Sequence, residues 1–455
     1  MPTVKVTGAT HEVGVDQLFF STTDARGVIR HSNNVFIELS RYGRDELSGA
    51  PHNIIRHPEM PGGAFKAMWD TLQAGSPFAA YVRNLAADGS EYDVFATVTP
   101  LSDGGYLSVR TRPVCTELFD TACAIYRDAR AVEDTALALG DTRRDAALKG
   151  LERIAQMLAD AGLSSYEEFQ NAALPAEVAR REELSAGLPQ RPGATGDLRT
   201  MLDAVTAIAA GLDSWLASQD ELAALSASLR AAVRGLTETL EDPRLSPERI
   251  AALDQSDPRV RPLAELLNLW TQMQGLVRPL VSRLVETLAQ LDTNGARTRF
   301  RIALARLHTT ITALFTVELI DGVGDSRYSA EAIPDLIETL TAGLVEMERQ
   351  AQEHRSLAGQ AVEYIGEASR MMTIPRQLLM LWTGSPASSD PSLPAAAAEL
   401  SLAASGVVES VGERLAELDE AAARCQSVDI AAGASDLRGH LQQLTLAARS
   451  VMRYS

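Results

Sequence analysis

The segment from residue 49 to residue 65, GAPHNIIRHPEMPGGAF, concentrates ionisable side chains, with two histidines, an arginine and a glutamate inside eight positions. Arg56 can offer a planar fork of donors to a phosphate or to a ring carbonyl, and His57 can donate a hydrogen bond and titrate near neutrality. Three prolines interrupt the run and exclude one long helix. Because prolines reduce the entropy lost when such groups are ordered around a ligand, this segment is the first candidate binding element.

The elements around this segment predict a small antiparallel sheet. Two short strand-like runs precede it, LFFSTTD and VIRHSN, joined at DARG by turn residues. After it, AFKAMWDTLQAG is typical of an amphipathic helix, with Met68 and Trp69 on its apolar face. Three strand-like runs follow, separated by turns at ADGS and SDGG, at residues 77–86, 91–101 and 106–114. This order predicts a five-stranded antiparallel sheet with short helices on one face.

From Cys115 onward the sequence shows no strand pattern and predicts helices. Apolar residues recur at alternating steps of three and four in series that begin at Leu222, Leu266, Phe300 and Ile337. Such seams are typical of antiparallel bundles or coiled coils. They are interrupted at EDPRLSPERI, DGVGDSRYSAEAIPD and TGSPASSDPSLPA, so we expect the helices to fold back on one another. The predicted fold class is therefore α+β, with a small sheet domain followed by a long all-helical bundle or coiled-coil region.

The composition excludes several classes of function. The chain has 455 residues, 45% of them hydrophobic and 22% charged, with a net charge of −18. This charge disfavours a sequence-independent grip on nucleic acid and attraction to an anionic membrane surface. The three cysteines form neither a metal-ligand spacing nor a disulfide framework, and the N-terminus lacks the apolar core of a signal peptide.

We found no run that approaches the roughly 18 apolar residues of a membrane span. We therefore expect a cytoplasmic protein without direct membrane insertion. The sequence also contains no nucleophile elbow, phosphate loop or HExxH motif, so we expect no enzyme activity.

Five strings in the first 113 residues carry a family resemblance: TTDARGVIRHSNNVF, YGRDELSGAPHNIIRHPEMP, AFKAMWDTLQAG, VRNLAADGSEY and SVRTRP. Together they resemble a PAS domain, and within that superfamily the aerotaxis-receptor type. The resemblance implies that the domain holds FAD non-covalently and reports redox or oxygen status to a chemoreceptor-type helical module. Transferred position by position, it assigns the flavin-associated roles to Asn33, Arg56, His57, Glu59 and Asn84.

The sequence departs from this family at several positions. Glu59 stands where the family commonly has Asp, and Tyr92-Asp93 where it has Tyr-Trp. Phe78 replaces a Trp and keeps an aromatic ring that could stack on a flavin. The NLAADG turn lacks two basic residues of the NRRKNG-like turn. The helical region lacks a chemoreceptor hairpin-tip sequence, so it is either a diverged relative of that module or an unrelated bundle.

Two interpretations of the candidate site stay open. In the first, the assigned residues bind FAD. In the second, the domain holds no cofactor: Arg56 pairs with Glu59, the histidines of the segment cap the backbone, and Asn33 and Asn84 serve turns at strand ends. The second interpretation makes the domain a docking or dimerisation module on a helical scaffold for partner proteins.

In the first interpretation the protein is a sensory signal-transduction protein. Reduction of a bound flavin changes the charge and hydrogen bonding of its ring, so that Asn33, Arg56 or His57 change partners. The strand that ends at Val114 then passes the change to the following helix. We expect a homodimer that contacts signalling proteins through its helices. The predicted parts are an N-terminal extension, a PAS sensor domain, connecting signalling helices and a helical output or scaffold region, at residues 1–17, 18–113, 114–185 and 186–455.

Overall fold

The computed structural model describes residues 4–322, 326–428 and 434–454. The chain divides into two compact units. The first unit takes in the chain up to Leu216, Ala296–Glu348 and the C-terminal helix, and the second takes in Ala217–Gly295 and the chain from Arg349 onward to the C-terminal helix. The sheet and the candidate site both lie in the first unit.

The N-terminal region forms one antiparallel sheet. Its strands are β1 (Phe19–Thr23), β2 (Ile29–Ser32), β3 (Phe78–Leu85), β4 (Glu91–Pro100) and β5 (Tyr106–Thr111). They lie in the order β2-β1-β5-β4-β3, and every neighbouring pair is antiparallel. The predicted five-stranded antiparallel sheet is therefore confirmed.

Three helices lie between the second and third strands. They are α1 (Asn34–Ser40), α2 (Arg44–Leu47) and α3 (Gly62–Gln73). Helix α3 begins two residues before the predicted amphipathic run, and Pro61 is its N-cap residue. It ends where predicted, since Gly75 adopts a positive φ of 81° that favours glycine.

The rest of the described chain is helical. The remaining helices are α4 (Thr116–Ala138), α5 (Arg143–Asp160), α6 (Tyr166–Leu184), α7 (Gly196–Leu240), α8 (Pro247–Ala251), α9 (Arg261–Asp321), α10 (Ser326–Thr383), α11 (Ala395–Ser427) and α12 (Ala434–Tyr454). Within the described residues, no strand follows β5. The α+β class, with a helical region after the sheet, is confirmed.

One helix continues past a proline, and one predicted interruption is shorter than expected. Helix α6 extends to Leu184, although Pro175 lies inside it. The buried residues Phe169, Leu174 and Val178 explain this, because their burial outweighs the hydrogen bond that proline removes. The predicted break over DGVGDSRYSAEAIPD is helical from Ser326 onward, and its residues 323–325 lie outside the described part.

The apolar seams predicted for the helical region are largely buried. Leu222, Leu225 and Leu229 of α7 are each at most 4% exposed. We expected no segment long and apolar enough to cross a membrane. Helix α9 does meet this criterion by length and composition. In that helix, 72% of the most apolar 18-residue window is buried inside the protein, as in a core helix.

Candidate functional site

A cavity of about 250 Å³ lies between the sheet, α3 and residues 51–60. Its volume approaches the range of about 300–1,000 Å³ that is typical of small-molecule sites. Side chains of β3, β4 and β5 form its floor, and the exposed lining residues Arg26 and Asn53 mark its mouth. The cavity therefore lies beside the segment that the sequence singled out.

Short side chains at matching register positions leave this space open. Ala80 of β3 pairs with Ala96 of β4, and Ala96 pairs with Arg110 of β5. Residues paired across an antiparallel sheet lie on the same face. Two alanines and an arginine thus share one row of the cavity floor, and a large side chain at either alanine would fill part of the cavity.

Helix α3 supplies an apolar wall. Phe65, Met68, Trp69 and Leu72 line the cavity at the three- and four-residue spacing of one helix face. The Trp69 ring meets the ring of Tyr106 on β5 edge-on, with 5.4 Å between the centroids. Trp69 therefore packs this helix onto the sheet.

Residues 51–60, which we name the strap, cross the whole sheet. Pro51 forms an isolated β-bridge with Val28, next to edge strand β2, and Arg56 forms one with Asn84 of the opposite edge strand β3. Between the two bridges lies a single 3-10 turn, His52–Ile55. The strap is thus anchored at two points, and the side chains between them are held over the sheet.

Arg56 is held against α3 and faces the cavity. Its guanidinium carbon lies 3.9 Å from the ring centroid of Phe65, and its Nη2 donates to the Met60 carbonyl at 3.2 Å. Burial lowers the pKa of Arg56, an effect that the nearby Glu133 carboxylate opposes. The remaining N–H groups of a planar guanidinium stay available for a ligand acceptor.

Among the described residues, two buried donors on the cavity wall lack a partner. Arg110 is 7% exposed, its Nη1 has no hydrogen-bond partner, and its guanidinium carbon lies 4.6 Å from the Phe19 ring centroid. Burial lowers the pKa of Arg110 to about 10. Asn84 is 3% exposed, and its Nδ2 also has no partner. Unsatisfied buried donors are rare, and at a cavity wall they indicate a ligand or water with acceptor atoms.

His52 adds an uncharged group to the same cavity. Burial first, and then the charge of Arg110, hold the pKa of His52 well below its usual value. Its Nε2 lies 3.2 Å from the Ser21 hydroxyl oxygen. His52 is therefore neutral at physiological pH, and the cations of the cavity are the arginines.

Asn33 lies outside the cavity lining and has a structural task. Its Oδ1 accepts from the backbone N–H groups of Phe20 and Phe36 at 3.0 and 3.1 Å, and its Nδ2 donates to the Leu18 carbonyl at 2.7 Å. It caps α1 and ties that helix to β1. These bonds use three of the four hydrogen-bonding positions of the amide, as the turn interpretation expected.

His57 and Glu59 also lie outside the cavity lining. His57 is 1% exposed, accepts from the Glu59 backbone N–H at 3.2 Å through Nδ1, and places Nε2 3.4 Å from a Glu91 carboxylate oxygen. The Glu59 side chain is 75% exposed and lies 3.9 Å from Arg83. The expected pairing of Glu59 with Arg56 is therefore replaced by a weak contact with Arg83.

Phe78 lines the cavity, but one face of its ring is occupied. The ring stacks on Tyr166 of α6, with 4.9 Å between centroids and 10° between planes. Of the six residues assigned from the sequence, the structure thus brings Arg56, Phe78 and Asn84 together at the cavity.

Comparison with known proteins identifies the family of the sheet domain. Residues 29–109 match the family described as PAS fold. These residues form a PAS domain. The chain is 41% identical over 107 residues to the aerotaxis receptor of Escherichia coli (strain K12), a match that covers 23% of this chain and 21% of the receptor. The chain thus spans about a fifth of the length of this curated relative.

Two solved structures are similar to parts of the chain. One is a light-oxygen-voltage domain studied with a flavin analogue, with 22% identity, a TM-score of 0.21, and coverage of 23% of this chain and 82% of that chain. The other is a blue-light-activated histidine kinase, EL346 of Erythrobacter litoralis, with 12% identity, a TM-score of 0.21, and coverage of 35% and 58%.

Sequence reasoning missed Arg110 as a site residue of the PAS domain. The signal available in the sequence was the alternation of side chains along β5, which places Tyr106, Ser108 and Arg110 on one face of the sheet. From the sequence alone, an arginine on that face is expected to be exposed to solvent, because the helices that cover the face are not yet known. Only the packing of α3 and the strap makes it a buried cation.

Proposed function

We propose that this protein is a sensory signalling protein whose PAS domain binds a flavin, FAD, in the cavity beneath the strap. The observation that carries the proposal is the pair of partnerless buried donors, Arg110 Nη1 and Asn84 Nδ2. A buried unsatisfied donor costs about 1–3 kcal/mol, and more when it is charged. The carbonyl oxygens and ring nitrogens of a flavin are acceptors that would satisfy both.

The lining fits the other parts of a flavin. Apolar and aromatic side chains, among them Ile55, Trp69 and Val82, surround the space that a flat ring would occupy. At the mouth, Arg26 is 84% exposed on its side chain and provides a cation for the phosphates of FAD, although it also contacts Asp24 at 3.3 Å. When bound, a flavin supplies reversible one- and two-electron redox chemistry, which makes redox state or oxygen the proposed stimulus.

The proposal extends to location and partners. It places the protein in the cytoplasm as a homodimer that contacts signalling proteins through its helical region, with no catalytic role of its own. Light scattering tests the dimer, and high-speed centrifugation of a lysate tests the location. A monomer would contradict the first, and recovery in the membrane pellet would contradict the second.

The direct test is the visible absorption spectrum of the purified full chain, followed by titration with FAD and FMN. We expect flavin bands in the purified protein or after titration. The variant Ala80→Leu should abolish them, because it adds bulk to the cavity floor. The matched control Ala87→Leu lies outside the cavity lining and should bind like the wild type.

A protein that stays colourless with FAD and FMN would refute the flavin proposal. The cofactor-free docking module would then take its place. Wild-type binding by Ala80→Leu would place the flavin outside this cavity.

A further inference from the structure

Glu133, near the C-terminal end of α4, is a buried carboxylate that accepts from two backbone N–H groups and from Arg130. It is 2% exposed, and its two oxygens accept from the backbone N–H groups of Gly62 and Gly63 at 2.7 Å each. These are the first two residues of α3. The first N–H groups of a helix lack partners inside it and carry partial positive charge, so the carboxylate satisfies and neutralises them. Glu133 therefore binds α4 to the start of α3.

Glycines let three helices meet at this point. A Cβ atom on Gly63 would lie 2.4 Å from the backbone nitrogen of Leu151, and one on Gly150 of α5 would lie 2.0 Å from a Glu133 carboxylate oxygen. Both distances are too short for any real side chain. We name the group Gly62, Gly63, Glu133 and Gly150 the clasp, and its close packing leaves little room for α3 to move without α4 and α5.

The clasp begins where the strap ends. Arg56 donates to the Met60 carbonyl, Met60 lines the cavity, and Pro61 is the N-cap residue of α3. The carbonyl group that Arg56 contacts therefore lies only two residues before the first of the N–H groups that donate to Glu133. Glu133 is also the acidic group whose charge raises the pKa of Arg56.

The covalent junction between β5 and α4 is fixed differently. Glu177 of α6 accepts from the backbone N–H groups of Val114 and Cys115 at 2.8 and 3.0 Å, and from the hydroxyl of Tyr81 at 2.7 Å. Glu177 is itself 2% exposed. Of these groups only Tyr81 belongs to the PAS sheet, and none of them lines the cavity. The junction between β5 and α4 is therefore anchored on α6, away from the cavity.

We propose that Glu133 couples the cavity to α4 and α5, so that a change at Arg56 reaches the output helices through the clasp and not through the strand end at Val114. This inference deepens the proposed function and rests on it for the identity of the ligand. The coupling itself is a property of the ligand-free chain, because all of its contacts lie within the protein. Glu133 acts here as a positioning residue.

The test is amide hydrogen exchange of α5 in the ligand-free full chain, with Arg56→Ala as the perturbation. We expect Arg56→Ala to raise exchange in α5 on the order of fivefold, the loss of one hydrogen bond. In a Glu133→Gln background the same substitution should change exchange by less than about twofold, because the link is already broken. In a Glu177→Gln background, which also alters a buried glutamate with two backbone partners, the wild-type response to Arg56→Ala should remain.

Additive effects of Arg56→Ala and Glu133→Gln would overturn the inference, and so would loss of the response in the Glu177→Gln background alone. If Glu133→Gln does not fold, Gly150→Ala is the second variant, since its methyl group displaces the Glu133 carboxylate. Gly150→Ala should also remove the response to Arg56→Ala, and a full response would contradict the inference.

A second arm uses FAD. Glu133→Gln should bind FAD within about twofold of the wild type while FAD no longer slows exchange in α5. FAD-dependent protection of α5 that persists in Glu133→Gln would overturn the coupling. A wild type that binds no FAD refutes the proposed function, whereas the ligand-free arm still decides the role of Glu133.

Discussion

Replacement of Arg110 by Met should make the ligand-free PAS domain more stable and its ligand binding weaker. Burial lowers the pKa of Arg110 from its ordinary value to about 10. At about 1.4 kcal/mol per pKa unit, the buried cation destabilises the folded state by roughly 3 kcal/mol. The folded pKa is the lower one, so this destabilisation is fully present at pH 7 and is relieved only when the pH rises through the folded pKa.

The net gain from Arg110→Met is smaller than that figure. The substitution also removes the contact with the Phe19 ring, which contributes on the order of 0.5–2 kcal/mol. Replacing buried ion pairs by apolar side chains of similar volume is often neutral or stabilises by about 1–4 kcal/mol, and Arg110 has no paired carboxylate to lose. We therefore expect the free energy of opening of β4 and β5, measured by amide hydrogen exchange, to rise by about 1–3 kcal/mol.

Ligand affinity should move in the opposite direction. A charge-assisted hydrogen bond contributes about 1.5–3 kcal/mol, so the dissociation constant for FAD should rise on the order of ten- to a hundredfold in Arg110→Met. The control Arg112→Met lies two residues along, and its side chain is 39% exposed, 3.2 Å from that of Glu12. It should change neither quantity by more than about 0.5 kcal/mol.

Two results would refute the reasoning about Arg110. Unchanged FAD affinity in Arg110→Met would show that the guanidinium does not contact the ligand. A lower opening free energy would show that the charge is already compensated in the ligand-free protein.

The remaining predictions concern single groups. Asn84→Ala removes the partnerless Nδ2; FAD titration should show about a five- to tenfold loss of affinity, while the opening free energy of β3 changes by less than about 1 kcal/mol. Normal FAD binding by this variant would contradict the assignment. Burial lowers the pKa of His308 to about 3 and that of His354 to about 4. Because these folded values lie below the unfolded one, the free energy of unfolding should fall as pH drops below about 6.5, by up to roughly 1.4 kcal/mol per pH unit for each histidine. Urea titrations at neutral and acidic pH measure this slope, which His354→Gln should reduce, and a slope unaffected by that variant would contradict it.

The strands, α3 and the helical region could be predicted from the sequence because their signals are local. Period-two runs, turn residues and the apolar face of AFKAMWDTLQAG act over a few residues, and the structure retains each of them. The role of Arg56 at the cavity could be predicted because it lies in a proline-rich segment, whose restricted backbone limits the positions of its side chains. The continuation of α6 past Pro175 depends instead on burial of one helix face, which overrides the local effect of the proline.

The tertiary structure alone decided which polar groups remain without partners. Asn33 and Asn84 are equivalent as amides, but Asn33 finds three backbone partners at the start of α1 and beside β1, whereas the Nδ2 of Asn84 finds none within the described residues. Arg110 became a buried cation because the register of β3, β4 and β5 places it in a row with two alanines under the strap. Glu133 meets Gly62 across 71 positions of sequence. Periodicity along the chain carries no information about such pairings, because they depend on how separate elements pack.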